Sequence, residues 1–401
     1  MFQKYADLLI KNGLNVKKGQ LVIISAPVET ADFVRLLVKT AYQNGAGRVI
    51  VRYRDEQVDH LNYLHGDLTV MAHESLFYNE TSEQGACYLT LVGDDPALMK
   101  DVDASIIAAR QKTFRQATKP YRRRLDTMHN QWCIAAAAVP AWAKAVFPNS
   151  SQPTEDLWNA IFQVSRVTED WQDRRRQFEQ RVKALNRLNI ESLHYQNAAG
   201  TDLIVKLPED YLFAGGGSTL TDGTYYFPNI PTEEVFAAPH KDGIDGVLVS
   251  TRPLVHNGAT IDDFRFTFKN GRVVDYDAKV GKEVLTSILD TDEGARSIGE
   301  IALVPYDSPI SEMNTIFYET LIDENASCHF ALGQSYGECL KNGLTMSEDE
   351  LKAHGLNQSL VHVDFMVGSA DLRIEAKTRD GKKVPIFVNG TFDSYITAFD
   401  E

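Results

Sequence analysis

Two different periods of hydrophobic and polar residues divide this chain. Residues 2–12 put Tyr5, Leu8 and Leu9 on one helical face, and Leu21-Val22-Ile23-Ile24-Ser25-Ala26 follows as an unbroken apolar run ending in small residues. A run apolar at every position is how a strand covered on both faces reads. Residues 29–44 carry Phe33, Leu36, Leu37, Thr40 and Ala41 at helical spacing, and Asn44-Gly45 with Gly47 stops that helix. Val49-Ile50-Val51-Arg52-Tyr53 then resumes as a strand, with further strands expected at 87–92 and 131–136. The pattern predicts an N-terminal open α/β sheet domain over residues 1–188, closed by a helix over 155–188.

Beyond residue 188 the period becomes two. Leu193-His194-Tyr195 and Leu203-Ile204-Val205-Lys206-Leu207 flank Ala199-Gly200-Thr201. Phe264-Arg265-Phe266-Thr267-Phe268 and Val273-Val274-Asp275-Tyr276 flank Asn270-Gly271, and residues 373–377 and 384–387 flank Asp380-Gly381. Asn-Gly and Asp-Gly between alternating runs are hairpin signals. Residues 189–401 are therefore expected to form an α+β, largely antiparallel domain. Ala214-Gly215-Gly216-Gly217-Ser218 reads as a flexible loop, either a lid or a plain turn.

Charge removes several function classes. A net charge of −14 argues against a nucleic-acid partner, whose phosphates need a basic face, and weakly favours cationic substrates. The charged run from Asp173 to Arg181 alternates in sign and reads as a solvated helix face. No glycine-rich phosphate loop follows the first strand. The four cysteines, Cys87, Cys133, Cys328 and Cys339, form no CxxC pair and read as reduced thiols. The apolar run 134–147 is too short for a membrane span and is broken by Pro140 and Lys144, and the start has no signal-peptide layout, so a cytoplasmic protein is expected.

The candidate chemistry gathers late in the chain. Glu300 begins the strand Ile301-Ala302-Leu303-Val304, Glu324 and His329 lie in Asp323-Glu324-Asn325-Ala326-Ser327-Cys328-His329, and Tyr336 follows. His362 and Asp364 stand two apart in an apolar run, so in a strand both project from one face. Glu234 lies upstream, after Pro231-Thr232-Glu233. Imidazole and carboxylate donors suit Zn, Co or Mn, and a carboxylate can bridge two ions, so the group reads as most of a two-metal hydrolytic site. Each residue alone also has an ordinary structural reading: a core histidine, a solvated strand-end carboxylate, an acidic first turn or a core tyrosine. Ser327 and Cys328 beside His329 do not fit a nucleophile elbow.

The segments 229–236, 299–304, 323–333 and 361–364 together resemble the thermophilic metallo-aminopeptidase family, which includes aminopeptidases T and S, and most of all its aminopeptidase S branch of Gram-positive bacteria. The resemblance extends over essentially the whole chain. It implies cytoplasmic homodimers that remove N-terminal residues from peptides with a free amine, using two divalent ions (Zn, Co, Mn or Mg). It implies Glu234, Glu300, Glu324, His329, Tyr336, His362 and Asp364 as metal ligands. Glu300 is the expected bridge, Glu319 or Glu233 the expected general base, and Tyr336 an alternative donor to the oxyanion. Nucleic-acid and membrane partners are not expected. Two rival readings use the same residues: another metal protein, such as a mononuclear iron oxygenase or a different metallohydrolase, and a non-catalytic peptide-binding module.

Overall fold

The first apolar run forms the strand Leu21–Pro27, buried from Val22 through Pro27 inside a parallel sheet. The sheet runs in the order Asn229–Ile230, Trp132–Ala136, Cys87–Val92, Leu21–Pro27, Arg48–Arg54. The structure is a computed structural model that describes residues 1–67, 74–256 and 259–397. The chain divides into two units. One is Met1–Trp171 with Gly217–Thr232 and Ile316–Leu321; the other is Gln172–Gly216 with Glu233–Thr315 and Ile322–Glu401.

Within the first unit, the helix Ala31–Gln43 joins the first two strands through Pro27 and the turn Val28–Thr30, with no glycine to cradle a phosphate. The later segments belong here because their backbones are tied into it. Pro228 O accepts from Ile134 N at 2.8 Å, Thr221 N donates to Met128 O at 2.9 Å, and the Trp142 indole donates to Phe317 O at 2.5 Å.

The single helix expected over 155–188 is two, Pro153–Val164 and Trp171–Arg187. Arg166 between them adopts φ +47°, Val167 N bonds back to Phe162 O, and Arg166 N to Gln163 O. That is a Schellman-type helix end with arginine where glycine is usual, so no residue type announces the stop. From Gln172 onward the second helix belongs to the second unit.

The second unit holds two antiparallel sheets. The larger contains Ile190–Gln196, Asp202–Lys206, Ile244–Val249, Ala259–Lys269, Arg272–Val280, Arg373–Thr378 and Lys383–Val388. Asn270 at φ +50° and Gly271 at φ +78° close the expected hairpin. The smaller sheet runs His362–Met366, His329–Gly333, Ile298–Leu303, Val235–Ala237, Ala214–Gly215. Ala214 and Gly215, read from sequence as part of a loop, are thus an edge strand against Val235 and Phe236. A Cβ on Gly215 would stand 2.5 Å from Glu234 O, so only glycine allows that pairing.

The two sheets share an aromatic core. Phe330 and Phe365, fully buried on one face of the smaller sheet, meet Tyr195, Phe264 and Phe266 of the larger sheet at centroid distances of 5.1, 5.6 and 5.3 Å. Removing such a ring leaves a void that the packed neighbours do not refill. Phe365→Ala is expected to lower unfolding free energy by about 3–5 kcal/mol in urea titration, and a loss below about 1 kcal/mol would contradict this packing.

Candidate metal centre

Strand alternation decides what lies opposite the aromatic core. If Phe330, Val363, Phe365, Ile301 and Leu303 face the larger sheet, their chain neighbours must face the other way. Those neighbours are His329 and Ala331, His362 and Asp364, Glu300 and Ala302. Register brings them into rows, Glu300 beside Ala331 and Ala331 beside Asp364, with His329 beside Ala302. Alanines between the long side chains leave space over the sheet. Glu234 enters from the residue before Val235–Ala237. The register shifts between Ile298 and Glu300, so Gly299 is extra on its strand. A Cβ there would stand 2.3 Å from Gln334 O, so the bulge that aims Glu300 requires glycine.

The resulting geometry centres on Glu300. Its Oε1 lies 3.9 Å from His329 Nε2, and its Oε2 lies 3.5 Å from His362 Nε2. Glu234 Oε2 approaches His329 Nε2 at 3.2 Å, and Asp364 Oδ1 approaches His362 Nε2 at 3.4 Å. Two sets of donors follow, Glu234–Glu300–His329 and Glu300–His362–Asp364, each with its ligand atoms within 4.8 Å of one another. Glu300 is 6% exposed and His329 1%, which few charged groups tolerate without a partner.

The electrostatics are those of a site made to receive cations. Burial pushes the Glu300 carboxyl up to about 8, with Glu234 and Asp364 adding to the rise and the histidines opposing it. Burial alone would depress His329 and His362, but Glu234 beside the first and Asp364 beside the second raise each to about 9. Asp364 is held below the usual carboxylate range: burial opposes ionisation, and the bond to His362 outweighs it. Protons on the imidazoles and on Glu300 thus balance the carboxylates, and a divalent ion would replace them.

The tautomers fit the same role. His362 Nδ1 lies 2.8 Å from Gln334 O, and His329 Nδ1 lies 3.3 Å from Ser327 O. A carbonyl can only accept, so each Nδ1 carries hydrogen and each Nε2 is the nitrogen that could hold a metal. Imidazole nitrogen with carboxylate oxygen suits Zn, Co or Mn, so the residues present fit the metal that the resemblance implies.

The other expected residues lie as follows. Glu324 heads the short turn Glu324–Ala326 and belongs to neither donor set. The Tyr336 ring lies tilted by 45° against His362 with centroids 4.8 Å apart, and Tyr336 is 43% exposed. Desolvation of its hydroxyl, then Glu300, Asp364 and Glu324, hold that phenol protonated. Glu233 is 2% exposed, and Arg174 Nη2 meets its Oε2 at 2.9 Å. Glu319 belongs to the first unit, where its Oε1 accepts from Leu321 N at 3.4 Å.

Arg174 was missed because it lies in the charged run taken as a solvated face. Arg175, Arg176 and Glu179 are at least partly exposed as expected, but Arg174 is buried. A signal was present, since Arg174 falls in helical phase with Trp171, Phe178 and Leu185, all buried.

Known proteins resemble this chain over nearly its whole length. Residues 1–392 match the family described as thermophilic metalloprotease (M29). The chain is 43% identical over 399 residues to Aminopeptidase AmpS of Bacillus subtilis (strain 168), covering 97% of each. It is 42% identical over 400 residues to Aminopeptidase 2 of Geobacillus stearothermophilus, again 97% of each. The solved structure of wild-type AmpT from Thermus thermophilus superposes with a TM-score of 0.91 at 37% identity, covering 98% of both chains. These matches do not favour an oxygenase or a peptide-binding module. The chain belongs to the M29 family of thermophilic metalloproteases and is a metal-dependent aminopeptidase.

Proposed function

We propose that this aminopeptidase holds two divalent ions, Zn, Co, Mn or Mg, which share Glu300, and that it hydrolyses the first peptide bond of peptides with a free amine. The observation that carries the reading is the division of Glu300, with Oε1 towards His329 and Oε2 towards His362. Glu234 and His329 complete one ion's shell; His362 and Asp364, joined by Glu324, complete the other's. Bound ions supply a water of near-neutral acidity and a Lewis acid at the scissile carbonyl. The chain's own residues do the remainder. Carboxylates around the site attract the substrate's α-ammonium group. The Tyr336 hydroxyl, if it is not itself a ligand, donates to the oxygen that gains charge as the carbonyl is attacked. Of the two carboxylates expected to accept the water's proton, Glu319 and Glu233, the second is already held by Arg174.

We further propose a cytoplasmic homodimer without nucleic-acid or membrane partners. Four buried free thiols suit a reducing compartment. A net charge of −14 opposes phosphate binding. Among the described residues, no helix is long and apolar enough to cross a membrane. Light scattering is expected to give about twice the chain's mass of 44.9 kDa.

Three experiments test the chemistry. Exhaustive chelation should abolish hydrolysis and a divalent ion should restore it. Glu300→Gln should lower kcat by at least about a hundredfold and lose an ion, while Cys328→Ser keeps both ions and most activity. Cys328 is buried, with its Sγ 3.4 Å from Val304 N, so a dead serine variant with full metal would instead indicate covalent catalysis. In the third experiment, an N-acetyl peptide and its free form are compared. Capping removes a group the site is built to bind, so kcat/KM should fall on the order of 10⁴-fold. Equal rates would exclude an aminopeptidase mode.

A further inference from the structure

A buried ion pair lies beside Glu234 in the chain and has no part in the reaction as described. The Arg174 and Glu233 side chains, 2.9 Å apart, are only 6% and 3% exposed. Arg174 is pinned from its own helix: its guanidinium stands 5.0 Å from the Phe178 ring centroid, and Nη1 donates to Gln177 Oε1 at 3.3 Å. Glu233 is held a second time through its backbone, whose N–H donates to Asn325 Oδ1 at 2.7 Å. Asn325 is fully buried, follows Glu324 directly, and accepts at its carbonyl from Ser308 Oγ at 3.2 Å. One residue is therefore gripped by side chain and backbone, and the next is Glu234.

Segment 231–234 has no helix or strand to hold it. A buried ion pair rarely stabilises a fold more than an apolar pair of equal volume. What it does enforce is position, because only one path of the backbone lets both charges meet. Helix Trp171–Arg187 supplies one fixed point and Asn325 the other. We infer that Arg174 and Asn325 are positioning residues, which fix Glu233 so that Glu234 reaches His329 and completes the donor set of one ion. This rests on the proposal that Glu234 and His329 hold an ion.

The test measures metal binding rather than turnover. Zinc titration of the full chain by calorimetry against a competing chelator is run beside urea unfolding of the metal-free protein. Arg174→Met alone removes the charge opposite a buried carboxylate and is expected to unfold easily. The double variant Arg174→Met/Glu233→Leu removes both charges and is expected to match the wild type in metal-free stability. Even so, one zinc should bind about 10–100-fold more weakly while the other keeps its affinity. Arg174→Lys, which retains the charge but not the planar fork, should recover part of that loss. Asn325→Ala keeps the ion pair and should show the same selective weakening, which provides the test if the double variant does not fold. Wild-type affinity for both ions in a folded double variant, or in Asn325→Ala, would overturn the inference. A wild-type chain that binds fewer than two ions would refute the two-ion reading itself.

Discussion

Three carboxylates and two imidazoles crowded on one face of a sheet cannot remain charged and dry without balancing each other. Glu300, at 6% exposure between Glu234 and Asp364, is the clearest case. Burial raises its carboxyl, and the same carboxylates raise His329 and His362. A cluster poised in this way exchanges its protons for a cation. The opposite face of the same strands carries Phe330 and Phe365 against the larger sheet. Packing and chemistry are therefore coupled through the alternation of a few strands: a one-residue slip would bury the carboxylates and imidazoles in the core and turn the rings outward.

This coupling explains why the gathering of these side chains on one face was largely legible in sequence. His362 and Asp364 stood two apart in an apolar run, and His329 and Glu300 opened similar runs, so a common face followed from strand geometry alone. Parallel and antiparallel halves followed from the change of period and from the Asn270-Gly271 hairpin. What could not be read depended on backbone conformations that no residue type signals. The helix end at Arg166 uses an arginine at φ +47°, and the bulge at Gly299 is set by the carbonyl of Gln334. Arg174 was hidden among surface charges, although its phase with Trp171 and Phe178 pointed inward.

The parallel sheet of the first unit shows the limit of fold as a guide to chemistry. Its strand order and first crossover are those of many nucleotide-binding proteins, yet the strand Leu21–Pro27 runs through Pro27 into a short turn with no phosphate cradle. The donor sets lie elsewhere, in an antiparallel sheet whose polar face has small residues between the carboxylates and imidazoles. The segments 217–232 and 316–321 leave the second half of the chain to join the first unit, a long-range arrangement that local periodicity does not record.

The central claim is that one carboxylate serves two ions. Crystals of the zinc-loaded protein, with diffraction collected on both sides of the zinc absorption edge, test it most directly. Two anomalous peaks per chain are expected to flank the Glu300 carboxylate, one beside His329 and Glu234, the other beside His362 and Asp364. A single peak, or a pair that Glu300 does not separate, would contradict it.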